Sequence, residues 1–335
     1  MRLREAGELE FIRMLRLDAR QASGPIALGI GDDAAVLTPE RGSSLLLKCD
    51  AVVEGQHFRR EWFAPAEIGA RAALSAISDI AAMGGRPVAL LLTLLISSDE
   101  EVAFALEVVH GAAEACEAFG AGLAGGETVA TEGPLGLDVI VAGFVPAGRE
   151  LRRSAARPGD TLLVTGALGD SAAGLASLRG GIANLPAAQH VISRYKRPQP
   201  RVELGRFLVE SGAVRAAIDI SDGLLRDAGH LATESGVAIV VERDAVPVSP
   251  EASQMAQTLD VDPLVWAASG GEDYELLFTA PVDAVPGLIS EARRRFGLPV
   301  TRIGNVVEGE GVRVRDADGS DWAPPVEGWD QFARG

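Results

Sequence analysis

The sequence predicts an α+β fold arranged as two domains, and three observations predict it. Apolar stretches of strand length recur between stretches whose apolar residues return every three or four positions. Their order mixes strands and helices without the tight βαβ rhythm of a doubly wound parallel sheet. The chain has 335 residues, room for two cores, and its regular pattern is interrupted once near the middle.

In chain order, an amphipathic opening is followed by a predicted strand over 44–49, a helix over 65–83 and a second strand over 88–96. Over 100–119, Val102, Leu106, Val109 and Ala113 fall on one helical face. Residues 137–145 return to strand. The interruption spans 146–160, where Gly148, the cluster Arg149, Arg152 and Arg153, and Pro158-Gly159-Asp160 break the pattern. It divides the chain into expected domains 1–148 and 149–335. The second contains predicted strands over 161–165, 216–220, 237–241 and 274–279 and helices over 170–178 and 222–235. No internal repeat or low-complexity tract is visible.

Composition excludes several classes. With 47% hydrophobic and 23% charged residues the chain is globular rather than disordered. A net charge of −16 repels polyphosphate backbones, which argues against a general nucleic-acid binder while leaving local nucleotide binding through metal open. The longest apolar run, 87–96, is far shorter than the ~20 residues of a membrane-spanning helix. Two cysteines and an opening MRLREAGELE without an apolar core fit a cytoplasmic protein with no disulfide framework.

The chemistry lies in a repeated arrangement, an apolar strand ending in an acid beside glycine or serine. In Ala217-Ile218-Asp219-Ile220-Ser221-Asp222-Gly223 a buried strand delivers two carboxylates and a hydroxyl as a helix begins. Asp222 would cap that helix. Asp219, within an apolar run, needs a cation or several donors, and magnesium is a good candidate. The segment 29–36 adds Asp32 and Asp33 after closely spaced glycines, a pattern also common in plain turns. Asp50 ends another strand, and Asp79 sits in an alanine-rich helix, where the alternative is a solvent-facing residue.

Gly125-Gly126-Glu127-Thr128 and Gly270-Gly271-Glu272-Asp273-Tyr274 repeat the pattern of paired glycines followed by an acid, which two unrelated turns would also give. This supply of hard oxygen ligands favours magnesium or manganese, and the four histidines and two cysteines show no zinc spacing. There is no P-loop and no dinucleotide-binding glycine motif after a predicted strand. Metal ions held by acids would then carry a triphosphate, which suits phosphoryl transfer.

Taken in order, Gly29-Ile30-Gly31-Asp32-Asp33, Asp50 with Glu54-Gly55-Gln56-His57-Phe58, Ser78-Asp79-Ile80-Ala81-Ala82-Met83-Gly84, Ala217 through Gly223, and Ser269-Gly270-Gly271-Glu272-Asp273-Tyr274-Glu275-Leu276 resemble the thiamine-monophosphate kinase family across nearly the whole chain. The resemblance implies the fold of aminoimidazole ribonucleotide synthetase, with an N-terminal mixed α/β domain forming a homodimer and the ATP site and a C-terminal α+β domain completing the substrate site. It implies direct in-line transfer of the γ-phosphoryl group of ATP to thiamine monophosphate, with several Mg2+ ions; the site pattern itself supplies no evident histidine or serine nucleophile, so no covalent phospho-enzyme is expected.

On matching positions, Asp33, Asp50, Asp79, Glu127, Asp219 and Asp222 would hold magnesium, and Gly126, Glu127, Arg153 and Ser221 would contact ATP. His57, Glu272 and Trp329 would face the substrate. Other readings stay open: an exposed Arg153, a loop-holding His57, and Trp329 as an anchor for the tail. The chain departs from the family in carrying Lys48 and Cys49 where small hydroxyl residues are usual. Glu127 stands where aspartate is usual, and the extra methylene suits binding through water. A related ATP-dependent enzyme and a non-catalytic nucleotide or thiamine-diphosphate binder are the alternative functions.

Overall fold

The apolar runs become the strands of two main sheets, one in each unit of the chain. The computed structural model describes residues 1–18, 24–30, 34–325 and 328. One unit comprises residues 1–80 and 85–149, the other 81–84 and 150–335.

The first unit opens with α1 (Leu3–Ala6), α2 (Glu8–Asp18) and a small pair, β1 (Ile26–Leu28) and β2 (Val36–Leu37). It continues through β3 (Ser43–Val53), α3 (Pro65–Ala82), β4 (Arg86–Ile96), α4 (Val102–Glu117), β5 (Gly122–Ala130) and β6 (Gly136–Pro146). Its four-stranded sheet has the order β3-β6-β4-β5, with β4 and β5 parallel and the other pairs antiparallel. Strand alternation gives this sheet two different faces. Leu46 and Val52 of β3 and Leu90, Leu92 and Leu94 of β4 are buried on one face, where Ile80 of α3 packs against Gly143 of β6. The other face carries Leu45, Leu47, Leu95, Val129 and Ile140, all exposed.

The helices of this unit meet at backbone distance. A Cβ on Gly69 would lie 1.8 Å from the Val108 carbonyl oxygen, and one on Gly111 would lie 1.9 Å from that of Ala66. Only glycine permits α3 and α4 to approach so closely.

The second unit contains β7 (Asp160–Thr165), α5 (Asp170–Arg179), α6 (Pro186–Lys196), α7 (Val202–Ser211), β8 (Ala216–Asp219), α8 (Leu224–Ser235) and β9 (Ala238–Glu242). After these come α9 (Pro250–Leu259), α10 (Pro263–Ser269), β10 (Leu276–Pro281), α11 (Val285–Phe296), β11 (Val300–Val307), β12 (Gly311–Arg315) and β13 (Asp321–Trp322). The seven strands run β13-β12-β9-β11-β7-β10-β8, antiparallel except for β9 with β12. Although β8 is last in the order, it is buried throughout, because the preceding segment covers its edge: the Ala217 N–H donates to the Arg152 carbonyl at 3.0 Å. Leu224, Ala228 and Leu231 of α8 close the core over Ile218, Ile239 and Val241.

The α+β class therefore holds. Three local readings do not. Gly125-Gly126 is not a turn but lies within β5, paired in parallel with Leu91 and Leu92. The helix expected from residue 222 begins at Leu224, and the strand expected from 274 begins at Leu276, leaving longer loops at that end of the sheet. Among the described residues no helix is long and apolar enough to cross a membrane.

Candidate functional site

β8 ends at Asp219, 3% exposed, beside the start of β10. The loops beyond these two strands are bonded to each other. Ile220 N–H donates to the Glu275 carbonyl, Tyr274 N–H to the Ile220 carbonyl and Glu272 N–H to the Ser221 carbonyl, each at 2.8 Å. Ser221 and Asp222 are thereby brought next to Glu272, three of the residues singled out from sequence.

Asp222 does not cap α8; Gly223 occupies that position. The helix's own Asp227 does the work instead, its Oδ2 accepting N–H groups from Ser221 at 3.0 Å, Asp222 at 3.0 Å and Gly223 at 3.2 Å. Asp222 thus keeps its carboxylate clear of the helix end, with Arg226 Nε 3.6 Å away. Asp222, Asp227 and His230 present ligand atoms all within 4.8 Å of one another. Burial, then the charges of Asp219 and Asp222, push the Asp227 carboxyl up to about 8. The two carboxylates of this group, with the charge of Asp219 also acting on Asp227, fit a magnesium ion, whose charge would relieve their mutual repulsion. Sequence reasoning missed Asp227; its signal was an acid four residues after a helix-opening glycine.

The loop 270–275 is held in an uncommon conformation. Glu272 has φ +57° and Tyr274 φ +52°, the left-handed region that costs a residue with a Cβ on the order of 1 kcal/mol or more. The residues alternating with them are pinned. Asp273 accepts N–H groups from Gly169 at 2.9 Å and Ser171 at 3.4 Å, at the start of α5. Burial holds its carboxyl well above the usual range. Glu275, fully buried, takes hydrogen bonds from Arg194 at 3.0 Å, Arg201 Nε at 2.7 Å and Thr165 at 2.5 Å. Neither Asp273 nor Glu275 was singled out from sequence beyond its place in the motif. Arg153 is exposed on the segment that runs parallel to β8, with its carbonyl accepting from Ser235 at 2.7 Å.

In the first unit, Lys48 and Asp50 project from the helix-covered face of the sheet, and Lys48 Nζ lies 3.0 Å from Asp79 Oδ2. Asp79 is therefore in an ion pair rather than simply facing solvent. Burial, the largest influence, raises the Asp50 carboxyl, and Lys48 opposes it. His57 Nδ1 accepts the Val53 N–H at 3.1 Å, committing that nitrogen to the turn after β3. Cys49 points to the opposite face and donates to Asp138 at 3.1 Å, which raises its thiol.

Glu127 is level with Thr93 and Asp138 across the sheet, so alternation puts it on that opposite face, away from Asp50. Gly126 beside it has no room for a side chain, since a Cβ would lie 1.8 Å from the Leu92 carbonyl oxygen. Here a cavity of about 1000 Å3, bordered by Arg13, Leu47, Thr93, Gly126, Glu127 and Ile140, has the size of a nucleotide site. Asp33 and Trp329 lie outside the described residues.

The chain matches the family models described as AIR synthase related protein, N-terminal domain, over residues 31–145, and C-terminal domain, over residues 157–317. It is 38% identical over 334 residues to the thiamine-monophosphate kinase of Salmonella typhimurium, covering 98% of each chain. With that of Aquifex aeolicus it shares 35% over 333 residues, covering 99% and 100%. Among solved structures, a thiamine-monophosphate kinase from Stenotrophomonas maltophilia superposes with a TM-score of 0.81 at 36% identity, covering 93% of this chain and 95% of the other. AaThiL complexed with AMPPCP and TMP gives 0.76 at 35% identity, covering 99% of each. E. coli HypE, at 22% identity and a TM-score of 0.79, covering 98% and 99%, shares the fold.

Proposed function

The chain belongs to the thiamine-monophosphate kinases of the AIR synthase related family, and from that premise we infer that it phosphorylates thiamine monophosphate with ATP, yielding thiamine diphosphate and ADP. The observation that carries this reading is identity of 35–38% with such kinases over nearly their full length. Support for an ATP site comes from AaThiL, which binds AMPPCP and TMP at 35% identity.

The finer assignments are our proposal. Asp219, Asp222 and Asp227 in the second unit, and Asp50 and Glu127 in the first, would hold Mg2+, as would Asp33; Asp79, the remaining acid expected from sequence, is paired with Lys48. Bound there, the ions would neutralise charge on the triphosphate and the transferred group. Ser221, Gly126 and Arg153 would contact ATP, the arginine through charge-assisted bonds to phosphate oxygens. Glu272, presented by its pinned loop, would face thiamine monophosphate together with His57 and Trp329.

Transfer would be in line. An oxygen of the acceptor phosphate bonds to the γ-phosphorus as the bond to the β,γ-bridging oxygen breaks and ADP leaves. No protein nucleophile is needed. Domains divided near residues 148 and 149 would separate the nucleotide and dimerisation functions from completion of the substrate site. We assign the outward apolar face of the first unit's sheet to a second copy of the chain. Free thiols at Cys49 and Cys116 fit the cytoplasm.

The test is a chromatographic assay of the protein with ATP, Mg2+ and thiamine monophosphate. ADP and thiamine diphosphate are expected in equal amounts, lost on chelation and restored by added Mg2+. Folded protein that binds ATP and forms no thiamine diphosphate would reject the reading.

A further inference from the structure

Lys48 and Asp50 are two residues apart on β3 and so share the face toward α3. There Lys48 Nζ is 3.0 Å from Asp79 Oδ2, with the two side chains only 33% and 24% exposed. The stem of the lysine leaves the sheet between Leu46, buried, and Asp50, half-buried, so the ammonium is led toward the carboxylate rather than into open water. Asp79 is thus an acid expected from sequence to hold metal, whose charge the chain already balances with Lys48.

The ammonium and a divalent ion compete for this carboxylate. Magnesium binds its oxygens at about 2.0–2.1 Å and requires near-octahedral geometry. An ion on Oδ2 would therefore sit no more than about 5 Å from Nζ, and like charges at that separation in a partly buried site repel strongly. The carboxylate, once neutralised by the lysine, also offers an ion less attraction.

We propose that Lys48 is a built-in cation: its ammonium holds Asp79 in place of a divalent ion, and the chain binds one metal ion fewer than it would with a neutral residue at position 48. The inference rests on the magnesium reading above and adds to it how this chain divides the work between metal and lysine.

The test counts bound Mn2+ by electron paramagnetic resonance of the free ion, using the full chain saturated with a non-hydrolysable ATP analogue. Lys48→Thr is expected to bind one more ion per chain than the wild type, and Asp79→Asn in that background to lose it again. Asp79→Asn alone should leave the wild-type count unchanged. Lys48→Met keeps the apolar stem without the charge; it should match Lys48→Thr and replaces it if the threonine variant melts below the assay temperature. Equal, non-zero counts with and without Lys48, or loss of an ion from the wild type on Asp79→Asn, would overturn the role of Lys48 alone. No bound Mn2+ in any variant would overturn the metal reading itself, and this inference with it.

Discussion

Replacing Asp219 by asparagine keeps the volume of a buried side chain and removes its charge, so its effect should fall on catalysis more than on the fold. The expected result is loss of turnover by on the order of 10²–10³-fold, the scale of losing one electrostatic stabiliser, with melting little changed. Full activity would remove Asp219 from the metal set. Asp273 makes the opposite test. Its carboxyl is raised by burial, so it favours the fold while protonated, and that contribution is lost as pH climbs from the ordinary carboxylate range through the raised value. Asp273→Asn keeps an acceptor for the Gly169 N–H and cannot ionise. Thermal melts from pH 4 upward should show the wild type losing stability relative to the variant as pH rises; a constant difference would contradict the assigned direction.

At the scale of elements, the loop 270–275 owes its shape to partners far off in sequence. Glu275 joins it to Arg194, at the end of α6, and to Arg201, just before α7. Glu275→Gln leaves two arginines with one neutral amide, and loosening should reach Glu272 through the backbone. We expect KM for thiamine monophosphate to rise several-fold while KM for ATP changes little; a purely structural role would lower stability and move neither selectively. Gly111→Ala would drive a methyl against the Ala66 carbonyl and should cost about 1–3 kcal/mol in urea unfolding. These contacts also mark what sequence alone conveys. The strand ending at Asp219 and the acids around Ser221 were legible, because an apolar run broken by charge is a local pattern. Asp227 as the acceptor for three N–H groups, and the Glu275 ion cluster, were not, because each depends on how distant segments pack. The strand setting of Gly125-Gly126 was hidden in the same way: close approach of Gly126 to Leu92 requires glycine in a strand, while composition alone also fits a turn.

At the scale of the whole molecule, the outward face of the first unit's sheet decides the oligomeric state. Leu45 and Leu47 of β3, Leu95 of β4, Val129 of β5 and Ile140 of β6 all project from it, and Leu47 remains 67% exposed. An apolar patch spread over all four strands of one sheet is more than a monomer commonly leaves in water. The net charge of −16 repels copies at long range, so burial of such a face must supply the attraction. Light scattering after gel filtration should give a mass near twice 34.9 kDa. Leu47→Lys places a charge on this face, at its most exposed leucine, and should shift the mass to that of one chain. Because Leu47 and Ile140 also border the cavity beside Gly126 and Glu127, separation of the copies should weaken ATP binding as well. A wild-type monomer with full activity would show that this face serves neither association nor the nucleotide.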